Sequence, residues 1–396
     1  MTGRDVADRF RARAVTLPMS RRRLRALAIA PAVALALAGC SAVDTLDFYW
    51  QGAAGQWDLV SRARPIPDVI GDAPDAPLAK RLARIRAIRA FASRELALPD
   101  NGSYTKYTEL GRPFVLWNVF AAPPLSLEPR KWCFPVAGCV NYRGYFREDE
   151  ARAEAARLRE RGDDVYIGGV PAYSTLGWFD DPVLSTFVRW NDTEVARLLF
   201  HELAHQVVYV KDDTVFNESF AVAVEDAGLA RWLAVQRDPA LDAQAARAER
   251  LRGAFKTFTV DARARLAALY ASDATDAEKL GAKAQVFADM QGAYERAKAG
   301  EPGLAGFDRW FAQHPNNASL AALGLYSDRV PAFRALLDEE QGDLPRFYER
   351  VRALSALPKP ERDSALVEAA SRGVATRDSA LISTPATSAA AAAGAR

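Results

Sequence analysis

Histidine is scarce in this chain, with three residues in 396, so imidazole chemistry has little material from which to arise by accident. Cysteine is equally sparse, at Cys40, Cys133 and Cys139. That leaves no set of ligands for a structural zinc site built on thiolates and no Cys-x-x-Cys pair for redox catalysis. Net charge is small, formally +2, and no basic stripe with interleaved aromatics follows residue 39, so no nucleic-acid partner is expected. Long apolar runs are missing too. The run from Ala26 to Leu37 is too short to cross a bilayer.

Against that scarcity, two of the three histidines stand four apart around a glutamate, in His201-Glu202-Leu203-Ala204-His205-Gln206. On a helix, positions i and i+4 share a face. Both imidazoles can therefore reach one metal ion while Glu202 projects beside them toward a water. This is the His-Glu-x-x-His arrangement of zinc hydrolases. Asn191 or Asp192 reads as the N-cap, with Glu194 in a first turn that favours acids. Val195, Leu198, Leu199, Leu203, Val207 and Val208 keep an apolar face at helical spacing. The pattern predicts a helix over about 192–210 with the motif near its middle. A polar loop at 211–214 and a second helix opening at Asn217 would complete an antiparallel hairpin.

The hairpin offers two carboxylates as third ligand, Glu218 and Glu225. Asn217-Glu218-Ser219-Phe220-Ala221 with Val224-Glu225 looks like the Asn-Glu-Gly-x-Ala…Leu-Glu segment of zinc aminopeptidases in the thermolysin-like superfamily, whose first glutamate binds zinc. That match points to Glu218, twelve residues on from His205, and a short loop suffices for a hairpin. The spacing in those families is longer, and counting alone selects Glu225. Otherwise Glu225 is a partner for a ligand histidine or a solvated helix charge. Two imidazoles and one carboxylate leave a position on zinc open to water. Glu202 is then the general base. His314 and Tyr326 are the candidate donors for the tetrahedral oxyanion.

The first 39 residues read as an address. Eight arginines and two aspartates, with Arg21-Arg22-Arg23 and Arg25 ahead of the short apolar run, form the n- and h-regions of an export signal. Leu37-Ala38-Gly39-Cys40 looks like a bacterial lipobox, which makes Cys40 the lipidated first residue of the mature chain. Ser41 after it favours the outer membrane. Six net positive charges leave with the signal, so the remainder carries about −4. The expected location is the cell envelope, lipid-anchored and periplasm-facing. There an oxidising compartment would close Cys133 and Cys139 into a disulfide loop.

Helical patterning covers 41–99, with an amphipathic helix from Leu78 to Leu98. Short aromatic-rich strands follow, at 114–120, 142–146 and 164–167, with a helix over about 148–161. Residues 168–175 stand just before the motif helix, where peptidases of this kind bind substrate as an added strand. Gly169, Ala172, Tyr173 and Ser174 are the candidate substrate-binding residues. Residues from about 240 to 358 return to helix, with breaks near 272–273 and 300–303, and are expected to close one wall of the cleft. Residues 359–396 drift to Ala, Ser and Thr and read as a disordered tail.

These pieces resemble a family of bacterial lipoproteins described as zinc-dependent aminopeptidases. The resemblance rests on Tyr49-Trp50-Gln51, Gly55-Gln56, the segment from Cys133 to Cys139, residues 173–182, His201 to Gln206, and Phe216 to Ala221. It implies an α+β fold: a mainly helical, zincin-like metallopeptidase with a small mixed β-sheet beside the motif helix and a C-terminal helical subdomain. It also implies one zinc per chain, a single domain over 40–358 with its catalytic core in about 100–236, and a peptide substrate. The better-known aminopeptidases hold the substrate's α-ammonium with a carboxylate upstream of the metal helix. Residues 168–175 contain none, which leaves Asp180, Asp181 or Glu225 for that role. A zinc endopeptidase is the alternative reading. A non-catalytic envelope protein that binds peptides is the third, and the intact Glu202 argues against it.

Overall fold

The computed structural model describes residues 47–134, 138–324 and 329–382. The signal segment, Cys40, Tyr326 and residues 383–396 lie outside them. Residues 47–54 are helical and belong to a separate small unit, and the main unit begins at Gly55. Its first elements are a helix at residues 55–61 (α1), β1 (Arg64–Pro65), α2 (Ile66–Asp72) and α3 (Pro77–Leu96). Seven strands then enclose one helix: β2 (Lys106–Thr108), β3 (Leu116–Ala122), β4 (Trp132–Phe134), β5 (Gly138–Val140), β6 (Arg143–Tyr145), α4 (Glu148–Glu160), β7 (Asp164–Val170) and β8 (Val183–Leu184). The rest is helical: α5 (Asp192–Ala204), α6 (Thr214–Gln236), α7 (Pro239–Tyr270), α8 (Asp276–Gly300), a 3-10 turn (Pro302–Phe307), α9 (Asp308–Phe311), α10 (Asn317–Gly324), α11 (Val330–Glu339), α12 (Leu344–Ser355) and α13 (Lys359–Ile382). No described helix is long and apolar enough to cross a membrane.

The proportion of helix and the small sheets fit the α+β class, but the expected single mixed sheet is three separate ones. The order β1-β2-β8 is mixed, β6-β3-β7 is wholly antiparallel, and β4-β5 is a hairpin. The disulfide Cys133–Cys139 pins that hairpin. The antiparallel sheet matters for the site. In its register Leu116 faces Val170, and Asn118 lies between Gly144 and Gly168. Its outer strand β7 has no further strand beside it among the described residues.

One core holds α3, α5 and α6 together through Leu82, Ile85, Phe91, Leu199, Phe200 and Trp232, all buried. Burial of each such side chain contributes about 1.5–3 kcal/mol. Phe333 and Phe347 extend this core onto Phe220. A second core joins α7 to α8 and the turn after it, where Tyr294 stacks on Phe311 with ring centroids 3.8 Å apart.

Two helix boundaries differ from expectation. Helix α5 ends at Ala204 rather than near 210, because the chain tightens there: Gln206 N donates to Leu203 O (3.1 Å) and Val207 N to Ala204 O (2.9 Å). Val207 and Val208 keep the apolar rhythm but pack from a turn. The motif therefore sits at the helix end, not its middle. Helix α6 opens at Thr214, three residues early, because the Asp213 carboxylate caps it by accepting from Phe216 N (3.3 Å). The tail expected from residue 359 is also corrected. Residues 359–382 form α13, whose Leu366 and Ala369 are buried and whose Arg362 pairs with Asp213 at 2.8 Å. Its Ala-rich composition serves close packing on α11.

Candidate metal centre

Helix α5 starts where Asn191 Oδ1 accepts from Glu194 N (2.9 Å), so Asn191 is the N-cap. Asp192 in the first turn is held by Arg81 and by Arg84 Nε (2.6 Å) from α3. The turn leading to α6 is clamped at two points by one side chain. Asn217 Oδ1 accepts from Val210 N (2.7 Å) and its Nδ2 donates to Val210 O (2.8 Å). Contacts between the two helices run in opposite senses: His205 meets Glu218, His201 meets Glu218 and Glu225, and Arg197 meets Glu225 and Asp226. The hairpin is thus antiparallel, and it brings both glutamates to the histidines.

They arrive on different sides of His201. Its Nε2 lies 3.3 Å from Glu218 Oε2, and its Nδ1 lies 3.0 Å from Glu225 Oε2. Glu218 Oε1 is 3.8 Å from His205 Nε2. One donor atom from each of His201, His205 and Glu218 falls within 4.8 Å of the others, the spacing of a group able to share a metal ion. Glu225 is not in that group. Arg197 Nε holds it at 2.6 Å, Arg197 Nη2 also reaches Asp226 (2.7 Å), and Arg334 from α11 closes on the same Asp226 (2.5 Å). A chain of charge-assisted bonds therefore runs from α11 through Asp226, Arg197 and Glu225 to His201 Nδ1. A carboxylate on the far nitrogen of a metal-binding histidine fixes its tautomer and orientation.

Burial sets the electrostatics. It lowers His205 to about 4, against the Glu218 charge, so that imidazole is neutral at ordinary pH. Its Nδ1 is buried with no hydrogen-bond partner. Burial also pushes Glu202 up to about 7, aided by Glu218 and opposed by His201. Burial alone would lower His201, but hydrogen bonds to Glu218 and Glu225 carry it well above the usual imidazole range. Burial acts against ionised Glu218 as well, yet the two histidines hold its carboxyl below the ordinary value. Glu218 has no Lys or Arg partner among the described residues. A carboxylate only 14% exposed is stabilised by a paired charge or a metal.

A cavity of about 210 Å³ opens over these groups, lined by His201, Glu202, His205 and Glu218 and by residues of β3 and the segment after β7. Of the expected substrate-binding residues, Ala172, Tyr173 and Ser174 line it. Gly169 does not: a Cβ there would meet the Phe114 ring at 2.3 Å, on the opposite face of the sheet. Side chains alternate along a strand, so Gly168 and Val170 share the face of Asn118 and Leu116. His314 is not brought to the cavity. It lies exposed with a positive φ of 53° beside Phe311, in a different hollow. Nor does the helical region from 240 on contribute a described wall residue to this cavity. Its α10 packs against the same sheet instead, with Ala318 and Ala322 against Phe120.

Polar lining residues beyond the candidates of the sequence include Asn118, Tyr142, Tyr209 and Thr214. The signal for Asn118 was present, as the lone amide in the apolar run 114–120, since an interior strand carries a polar group only where something partners it. The two tyrosines gave no such signal, because their spacing to the motif is set by the fold.

The family model described as "Putative aminopeptidase" matches residues 47–366, and the chain belongs to that family. No curated protein and no solved structure matches the chain.

Proposed function

We propose that the protein is a zinc-dependent peptidase of zincin-like architecture, with His201, His205 and Glu218 holding the ion. The observation that carries this reading is Glu218, a half-buried carboxylate whose partners are two imidazole nitrogens, with Glu202 beside them. The donor set fits zinc, two nitrogens and one carboxylate oxygen with a position left for water. The ion, when bound, supplies Lewis-acid polarisation of the scissile carbonyl and acidifies water. Glu202 accepts the proton of the attacking water and passes it to the leaving amine, a task suited to a carboxylate raised by burial toward neutrality. Tyr142 and Tyr209 take the oxyanion-donor role in place of His314, while the other candidate, Tyr326, lies outside the described residues. Both residues line the cavity, and burial raises both pKa values, which keeps each phenol protonated as a donor. Glu225 orients His201. Cys40 anchors the chain to the outer membrane facing the periplasm, where the Cys133–Cys139 bond is stable.

Within the family, removal of amino-terminal residues is the first reading. One observation favours an endopeptidase instead. Among described lining residues the only carboxylates are Glu202 and Glu218. Asp181 is turned to Thr175, accepting from its N (3.1 Å) and Oγ1 (2.7 Å). Asp180 faces Lys106 at 3.4 Å, and Glu225 is taken by His201 and Arg197. Among the described lining residues no free carboxylate is left for an α-ammonium group. Chelation tests the core proposal: hydrolysis of unstructured peptides should stop when metal is removed and return with one equivalent of zinc. Activity that survives complete removal of metal contradicts it.

A further inference from the structure

We propose that Asn118 is a substrate-positioning residue whose side-chain amide hydrogen-bonds the main chain of the peptide substrate. The inference rests on the peptidase reading above and concerns how the cavity grips what it cleaves. Asn118 sits in the middle of the central strand β3 and is only 7% exposed. Its amide makes no hydrogen bond to any described residue, and Oδ1 is buried without a partner. Leaving such a group unpaired costs about 1–3 kcal/mol, so a fold that gained nothing from it would carry an apolar residue there, as at Trp117 and Val119 on either side.

The neighbours of Asn118 leave its amide unpaired at the cavity wall. Its cross-strand neighbours on both sides are glycines, Gly144 on β6 and Gly168 on β7. A Cβ at position 144 would stand 3.0 Å from Asn118 Oδ1. Facing positions of an antiparallel sheet normally pack side chain on side chain. Here the Tyr166 and Phe120 rings close over Gly168, 3.3 and 3.5 Å from where its Cβ would stand, and the Asn118 amide takes the space over Gly144. Asn118, Leu116 and Val170 line the same cavity as His201, Glu202 and Glu218. An amide offers one donor and one acceptor edge, the complement of a peptide group. Among its described lining residues the cavity has no Lys or Arg, so the ligand chemistry it suits is a peptide main chain bearing an apolar side chain. The N–H group bound is either an internal peptide amide or the terminal α-ammonium, and the two are separable.

The test uses the full-length protein carrying Glu202→Gln to stop turnover, loaded with zinc, and measures binding of the tetrapeptide Leu-Phe-Ala-Ala with a free or an acetylated amino terminus. Adding Asn118→Ala should weaken binding by about 5–30-fold, the loss expected for one hydrogen bond made in a dry site. The melting temperature should stay the same or rise, because an unpaired buried amide has been removed. If the loss is equal for both peptides, the amide binds an internal peptide group. If it is confined to the free peptide, and Asn118→Asp tightens that peptide, the amide binds the α-ammonium. Unchanged affinity in Asn118→Ala overturns the proposal and leaves the peptidase reading intact, as does a loss of binding accompanied by a fall in melting temperature and not restored by Asn118→Gln. Failure of the Glu202→Gln parent to bind either peptide overturns both.

Discussion

Between residues 192 and 226 the interior holds His201, Glu202, His205, Glu218 and Glu225, tied to Arg197 and Asp226. Between residues 251 and 311 it holds rings: Phe255 stacked on Phe307 at 4.3 Å and Tyr294 on Phe311 at 3.8 Å, with ion pairs such as Arg265–Asp289 kept at the surface. Burying ionisable groups is expensive unless each is paired, whereas stacked rings add to stability directly. The first region spends stability on chemistry and the second supplies it. The C-terminal helices nonetheless reach the site indirectly, through Arg334 on Asp226 and Arg362 on Asp213.

Substitutions should separate the two regions. The largest effect is expected from Glu202→Gln, which should lower kcat by about 10³-fold while unfolding free energy stays within about 1 kcal/mol of wild type; steady-state kinetics and urea titration read the two. Phe311→Ala should do the reverse, costing about 3–5 kcal/mol of stability with kcat of the folded fraction unchanged. A Phe311→Ala protein of wild-type stability would break the contrast. Arg362→Ala removes a buried partner of Asp213 and should cost about 3 kcal/mol, the low end for such pairs, because Lys359 remains at 3.3 Å. Burial would raise Asp213, but Arg362 and Lys359 hold its carboxyl below the ordinary range. A depressed carboxyl stabilises above its unfolded pKa, and that contribution disappears as pH falls through the folded one. The gap between wild type and Arg362→Ala should therefore narrow below about pH 4, as measured by melting at a series of pH values. Smaller again is the disulfide: replacing Cys133 and Cys139 by Ser opens a short loop worth roughly 2 kcal/mol. Because Val140 and Tyr142 follow it into the cavity wall, KM should rise more than kcat falls.

Much of this arrangement could be read from local signals. The i, i+4 histidines, the Asn191 cap and the Asn217-Glu218 segment are each encoded within a turn or two of helix, and the structure assembles them as a hairpin. What escaped depends on distant contacts. Val207 and Val208 continue a helical rhythm, so the stop at Ala204 is visible only once Asn217 clamps Val210. Gly168 and Gly169 are equivalent as residues, and only pairing with β3 decides which shares the face of Asn118. Helix α13 looks like tail by composition, yet Leu366, Ala369 and Arg362 are buried by partners far back in the chain.

The central claim is that His201, His205 and Glu218 share one ion while Glu225 only orients His201. Zinc affinity measured side by side for wild type, Glu218→Ala and Glu225→Ala tests it most directly. Loss of an orienting partner should weaken binding about 10–100-fold, and loss of Glu218 should weaken it further still. Equal or tighter zinc binding by Glu218→Ala than by Glu225→Ala would contradict the account.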